Sequence, residues 1–397
     1  MSIDFPREAQ ALAPDLIALR RALHADPELG NNLPRTQARV LAALEGLPLE
    51  ITTGDALTSI VAVLHGGRPG PAVLLRGDMD GLPVQEDNDL PYASTTGNMH
   101  ACGHDLHTAG LVGAARLLSA HRDELPGSVV FMFQPGEEGP GGAGPMIAEG
   151  VLEAAGTPVS AAFGVHVLPG EPGVFTTRGG PLMAGSNVLR VTFHGAGGHG
   201  SQPYDALDPV APLVEFCQAL QVMITRRFNV FDPVVASITN LSAGDATNVI
   251  PASASMGATV RTLSADTTRD VPRYAQELAE SIAAGFGCTA QVEWEELYPP
   301  TINDRDQAAF ALTTLTGLFG EDRVLPAEDP IMASEDFSLV LDRVPGAFYF
   351  LQASPPEVDP STAAMNHSPL VLFDDAVLAD QAASLAALAW HHNSRKD

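Results

Sequence analysis

The sequence predicts an α/β protein of two domains, and three observations carry that prediction. Apolar runs that end in acids alternate with amphipathic segments up to residue 183. From 184 to 299 the pattern becomes a compact set of about four strands and two long helices, flanked by the Gly/Pro-rich segments TTRGGPLMAG and YPPTIND. After residue 300 the first pattern returns. A length of 397 residues also exceeds what one core usually serves. The simplest topology is therefore a larger α/β domain, residues 1–183 and 300–397, interrupted by a smaller α+β domain at 184–299.

The elements follow in order. DLIALRRALHADPELG reads as an opening helix, with Leu16, Leu19 and Leu23 at helical spacing and Gly30 beyond its end. SIVAVLHG and PAVLLRGDMD read as strands, the second a continuous apolar run closing in acids, as in a buried strand. LHTAGLVGAARLLSAHRDEL is a long helix, SVVFMFQPGEEG a buried strand, PMIAEGVL a short helix and AAFGVHVLPG a strand. In the inserted segment SNVLRVTFHG, VVASITNL, ASASMGATVRTL and TAQVEWEELY are strands. DALDPVAPLVEFCQALQVMI and DVPRYAQELAESIAAGF are its helices. The return segment holds a helix, the strand GAFYFLQ and the apolar helix DDAVLADQAASLAALAW.

Composition narrows the function classes. Hydrophobic content of 45% with 17% charged residues fits a globular chain. A net charge of −27 repels phosphate backbones, so nucleic acid is not an expected partner. No basic and apolar leader opens MSIDFPREAQALAPD, and no apolar run reaches the ~18 residues of a membrane span, so a cytoplasmic protein without membrane contact is expected. Three cysteines, Cys102, Cys217 and Cys288, do not make a disulfide framework. Only Cys102 has polar, ligand-type neighbours.

Those neighbours, in MHACGHDLHTA, begin the candidate site. Ligands of α/β sheets gather at the carboxyl ends of strands. Asp78 and Asp80 close one strand, Glu137 and Glu138 follow another, and His166 sits near the end of a third. Cys102 and His104 precede a long helix, and His367 lies in the Pro-flanked segment MNHSP. Thiolate, imidazole and carboxylate are the usual donors for zinc and its neighbours. Cys-x-His in a turn before a helix can point both side chains inward. No second cysteine pair closes a structural site, so a catalytic one is favoured. One carboxylate of Glu137-Glu138 can then bind metal while the other serves as general base. The rival reading makes Cys102 a nucleophile with His104 or His107 as its base. Adjacency in sequence supports it poorly, because such a base normally comes from elsewhere in the fold.

RRALHADPELG, RGDMDGLP, MHACGHDLHTA, FQPGEEG, GVHVLPG, GGHGSQP, DATNVIP, TVR, ASEDF and HSP occur in the order seen in one family of dinuclear metallopeptidases. The chain resembles that family, which contains the aminoacylases, hippurate hydrolases and auxin-conjugate amidohydrolases, over nearly its whole length. The resemblance implies a larger α/β/α di-metal catalytic domain and a smaller lid domain that also forms a homodimer. It implies Cys102, His104, Glu138, His166 and His367 as ligands of two divalent ions (Zn, Mn, Co or Ni). Glu137 matches the catalytic glutamate, and Asp80 the acid that supports the metal site. His199 matches a lid histidine that polarises the substrate carbonyl, in its own or the partner subunit. Asn248 and Arg261 match lid positions that contact substrate, arginine being suited to a carboxylate. His107 is expected to pack along its helix rather than bind metal.

The activity implied is hydrolysis of the amide bond of small N-acyl-L-amino acids, with Glu137 as general base. The alternatives are a dipeptidase or N-carbamoyl-amino-acid amidohydrolase of the same fold, or a cysteine-nucleophile hydrolase using Cys102. The sequence departs from the family pattern at Asn31-Asn32-Leu33, at Gly136, and at Gly200, Ser201, Gln202 and Tyr204. None of these removes a ligand or the base.

Overall fold

The computed structural model describes residues 3–395 and divides into two compact units. The larger comprises the chain up to Gly180, Ile302–Asp329, and the chain from Leu339 onward. The smaller comprises Pro181–Thr301 and Pro330–Ser338. Against the expected 184–299, the insertion is slightly longer at both ends and gains a segment distant in sequence. Backbone bonds account for that gain: the Ala184 N–H points at the carbonyls of Ile331 and Ala333 at 3.0 and 2.9 Å.

The strands in chain order are β1 (Glu50–Thr53), β2 (Ile60–His65), β3 (Arg68–Asp78), β4 (Pro126–Gln134), β5 (Val159–Leu168), β6 (Phe175–Thr177), β7 (Gly180–Met183) and β8 (Gly185–His194). They continue as β9 (Gly198–His199), β10 (Val235–Ala243), β11 (Val249–Ile250), β12 (Ser253–Thr262), β13 (Thr289–Tyr298), β14 (Thr301–Asn303), β15 (Val324–Pro326) and β16 (Gly346–Gln352). The helices are α1 (Phe5–His24), α2 (Pro34–Leu44), α3 (His104–Ala120), α4 (Ala143–Ala148), α5 (Val210–Arg227), α6 (Ala265–Gly285), α7 (Arg305–Phe319), α8 (Ser338–Leu341) and α9 (Val377–Asn393).

In the larger unit an eight-stranded sheet runs in the order β1-β2-β4-β3-β5-β16-β6-β15. Its centre, β4-β3-β5-β16, is parallel. These strands are apolar on both faces because both are covered, which explains their unbroken hydrophobic runs. Leu16 of α1, Leu106 and Leu111 of α3 and Leu378 and Leu385 of α9 share one core with Val73, Phe131 and Phe163 of the sheet. Each large apolar side chain so buried contributes about 1.5–3 kcal/mol. Close helix approach comes from Gly113: a Cβ there would lie 2.6 Å from that of Ala382. No helix among the described residues is long and apolar enough to cross a membrane.

The opening helix differs from its expected span. It begins at Phe5, capped by the Asp4 carboxylate accepting from the Arg7 N–H, and tolerates Pro14. It ends at His24, ahead of Asp26-Pro27, because a residue before proline avoids helical backbone.

The smaller unit is a four-stranded antiparallel sheet, order β10-β12-β8-β13, with α5 and α6 packed on one face. Alternation along β8 and β12 sends Leu189, Val191, Phe193, Ala254, Met256, Ala258 and Val260 into that core. Cys288 is buried there and Cys217 packs against it, so both are free thiols that fill space.

Candidate metal centre

Seven of the ten residues singled out in the sequence converge in the larger unit. β3 leads directly to Asp80, β4 to the Glu137-Glu138 turn, and β5 carries His166 near its end. Cys102 and His104 flank the first turn of α3. Between them Gly103 has φ +82°, and a Cβ on it would stand 2.3 Å from Val167 Cγ2. Only glycine permits this turn, which aims both donors the same way.

The Asp80 carboxylate organises the acidic turn. Its two oxygens accept the backbone N–H groups of Glu137 and Glu138, each at 3.0 Å. Asp80 Oδ1 also stands 3.4 Å from His104 Nδ1. Ahead of the doublet, Gly136 has φ +75°, and a Cβ there would fall 1.9 Å from Asn31 Oδ1. Two departures from the family pattern are thus one adjustment: the Asn31 side chain occupies the space that Gly136 leaves.

Cys102, His104 and His166 bring three donor atoms within 4.8 Å of one another; so do Cys102, Glu138 and His367, and so do His104, Glu137 and Glu138. Cys102 Sγ lies 3.3 Å from His166 Nε2, and His367 Nε2 lies 3.1 Å from Glu138 Oε1. His166 Nδ1 faces the Val167 carbonyl at 2.8 Å, which leaves Nε2 as its free donor. His367 is the one non-glycine residue of positive φ (+71°) among the described residues. Strain of that kind persists where surroundings hold it. Here the His367 N–H donates to Ala101 O at 2.9 Å, and Asn366 Nδ2 donates to the carbonyls of Cys102 and Val167 at 3.3 and 3.2 Å.

The donor set fits metal ions on an observation of its own. Both ring nitrogens of His104 and Glu138 Oε1 are buried without a well-aligned hydrogen bond among the described residues, having only ionic contacts to Asp80, Asp78 and His367 at 3.4, 3.5 and 3.1 Å. Buried polar atoms are rarely left so. Burial would lower the His104 imidazole, but the charge of Asp78 and the contact with Asp80 hold it well above its usual range. Burial would raise Glu138, but the close His367 imidazole and the charge of His104 hold it low.

The electrostatics weigh against the thiol alternative, although His166 Nε2 stands within reach of Cys102 Sγ. Burial and then the charge of Glu138 push the Cys102 thiol up to about 12. Burial, followed by the charge of His107, holds His166 well below the usual imidazole range. An activated cysteine needs the opposite of both.

The other candidates lie in the smaller unit. His199 on β9 faces Val249 of β11, and the Gly200 N–H donates to Asn248 O at 2.8 Å, so His199 and Asn248 are neighbours. Arg261 on β12 is half-buried and donates to Thr259 Oγ1 at 2.8 Å. No carboxylate among the described residues pairs with it. Sequence reasoning missed two supporting residues. Asn366 braces the His367 loop, as above. The Ser201 N–H and hydroxyl meet His199 Nδ1 at 3.2 and 2.8 Å, which fixes the ring proton on Nε2. A polar residue beside each histidine, in MNHSP and GHGSQP, was the available signal.

A parallel sheet with a cluster of Cys, His and Glu donors at its carboxyl edge defines a hydrolase of the metallopeptidase class. Residues 74–391 match peptidase family M20/M25/M40, and the chain belongs to that family, as the sequence resemblance implied. It is 38% identical to the N-acetylcysteine deacetylase of Bacillus subtilis, over 85% of this chain and 87% of that protein. It is 36% identical to thermostable carboxypeptidase 1 of Saccharolobus solfataricus, over 85% of each. The fold also matches the crystal structure of a dinuclear metal-binding peptidase of the M20 family from Bacillus subtilis. The TM-score there is 0.84 at 34% identity, over 97% of this chain and 99% of that one.

Proposed function

We propose that the protein hydrolyses the amide bond of N-acyl-L-amino acids, releasing a carboxylic acid and the free amino acid. The observation that carries this reading is the clustering of Cys102, His104, Glu138, His166 and His367 beside Glu137. Those five residues would hold two divalent ions, drawn from Zn, Mn, Co or Ni. Such ions, when bound, acidify water and draw electrons from a carbonyl.

The chain's own residues do the rest. Glu137 takes the proton of the attacking water and passes it to the leaving amine. Asp80 keeps Glu137 and Glu138 in register through their backbone N–H groups. His199 donates its Nε2 proton to the substrate carbonyl oxygen, a kind of donor often worth ~3–4 kcal/mol in the transition state. Asn248 and Arg261, which no carboxylate pairs with among the described residues, hold the substrate carboxylate or carbonyl. The smaller unit acts as lid and joins two copies as a homodimer; Val222, Val230 and Phe231 stand exposed on it. The site of action is the cytoplasm.

Likeness to a carboxypeptidase keeps a second reading in play, cleavage of a dipeptide, with an N-carbamoyl amino acid as a further variant. Assay of N-acetyl-, N-benzoyl-, N-lauroyl- and N-carbamoyl-amino acids beside a dipeptide decides between them. The expected result is fastest cleavage of an N-acyl amino acid. Preference for the dipeptide or the carbamoyl compound selects the second reading.

A further inference from the structure

His107 is fully buried and has no part in the donor set above. Its ring packs against two of the proposed ligands, 5.3 Å from the ring of His104 and 4.6 Å from that of His166. Asp78, His104 and His107 bring three donor atoms within 4.8 Å of one another, which alone would suggest another cation position.

The hydrogen bonds exclude His107 as a ligand there. The Val167 N–H donates to His107 Nε2 at 2.8 Å, so Nε2 carries no proton and its lone pair is taken. The ring proton is therefore on Nδ1, which donates to Asp78 Oδ1 at 2.6 Å. Asp78 is anchored in turn, with Oδ2 2.6 Å from Arg76 Nη1.

The reason for this arrangement lies in the sheet. β3 pairs with β5 only as far as Arg76 opposite Gly164, whereas β16 follows β5 to its end. Val167 therefore has no strand on one side. His107 takes its N–H, while His166 Nδ1 and Asn366 Nδ2 donate to its carbonyl. The next residue of α3 joins the same junction, the Thr108 hydroxyl donating to Asp78 O at 2.7 Å. Gly77 lets the helix come this close, since a Cβ there would lie 2.8 Å from His107 O.

We propose that His107, oriented by Asp78, is a positioning residue: it replaces the missing strand beside Val167 and thereby sets His166 and His104 for metal binding. This rests on the metal reading above. The test is Co²⁺ titration of the metal-free full chain, followed by the visible absorption of the bound ion. His107→Leu, which can make neither bond, is expected to lose about 10–100-fold in affinity, with an altered spectrum. His107→Gln, whose carboxamide can accept from Val167 and donate to Asp78, is expected to recover most of both.

Unchanged affinity and spectrum in His107→Leu overturn the proposal. A loss that His107→Gln shares in full overturns it as well, and loss of a whole equivalent of Co²⁺ in both makes His107 a ligand. Should His107→Leu not fold, His107→Asn, which reaches Asp78 but not Val167, takes its place with the same outcomes. Wild-type protein that takes up no Co²⁺ refutes the metal reading itself and this proposal with it, a result distinct from all of these.

Discussion

Glu137→Gln is expected to lower kcat on an N-acyl amino acid by about 10²–10⁴-fold, the usual contribution of a general base, with metal content unchanged. The substitution keeps shape and leaves the backbone N–H on Asp80 Oδ1 in place, so the turn should survive. What it removes is an atom able to accept a proton. The neighbouring carboxylate has a different environment. Glu138 Oε1 is 3.1 Å from His367 Nε2 and 3.9 Å from His104 Nε2, a place between the imidazoles proposed as ligands. Glu138→Gln should therefore lose metal and activity together. Elemental analysis of the two variants separates the roles. Metal loss in Glu137→Gln with retention in Glu138→Gln would mean that the roles are reversed.

The largest expected effect on stability comes from Asp105, the residue after His104. Asp105 is fully buried, and one of its oxygens lies 2.7 Å from Arg20 Nε and 2.8 Å from His24 Nδ1. Burial alone would raise its carboxyl, but the charges of Arg20 and His24 outweigh that and hold it far below the usual range. The cluster extends outward: His24 Nε2 meets Glu86 Oε1 at 3.0 Å, and Arg20 reaches Asp375 at 3.0 Å and the Tyr92 hydroxyl at 2.9 Å. It ties α1 to the first turn of α3 and to the segments before and after them. Asp105→Ala leaves Arg20 and His24 buried with one partner fewer. Breaking a buried pair in this way costs ~3–5 kcal/mol, and the remaining Asp375 and Glu86 contacts place the expected loss near ~3 kcal/mol. Denaturant unfolding of the metal-free protein measures it. A loss under ~1 kcal/mol would show that the cluster relaxes without Asp105.

Much of this was legible in the sequence, for physical reasons that differ by element. β3, β4, β5 and β16 announced themselves because strands buried on both faces are continuous apolar runs. The Cys, His and Glu donors were visible because they sit at the ends of those runs, where an α/β sheet presents its ligands. β6 and β15, three residues each, carry too little pattern to be found. The start of α1 was hidden by two prolines, Pro6 in its first turn and Pro14 inside it. The segment Pro330–Ser338 joins the smaller unit through backbone bonds to Ala184, which no local pattern encodes. His107 was expected to pack along its helix. It does lie among buried groups, but its two hydrogen bonds depend on where β3 leaves β5, a property of the sheet rather than of GHDLHTA. The pairing of Asn31 with Gly136 was equally hidden, since residues distant in sequence share one small space.

The most direct test of the account is hydrolysis of N-acetyl- and N-benzoyl-amino acids by chelated protein, before and after single divalent ions are added back. The account predicts no turnover by protein shown to be free of metal, and recovery with at least one of Zn, Mn, Co or Ni. Undiminished hydrolysis by metal-free protein, abolished by alkylation of Cys102, would contradict it and make Cys102 the nucleophile.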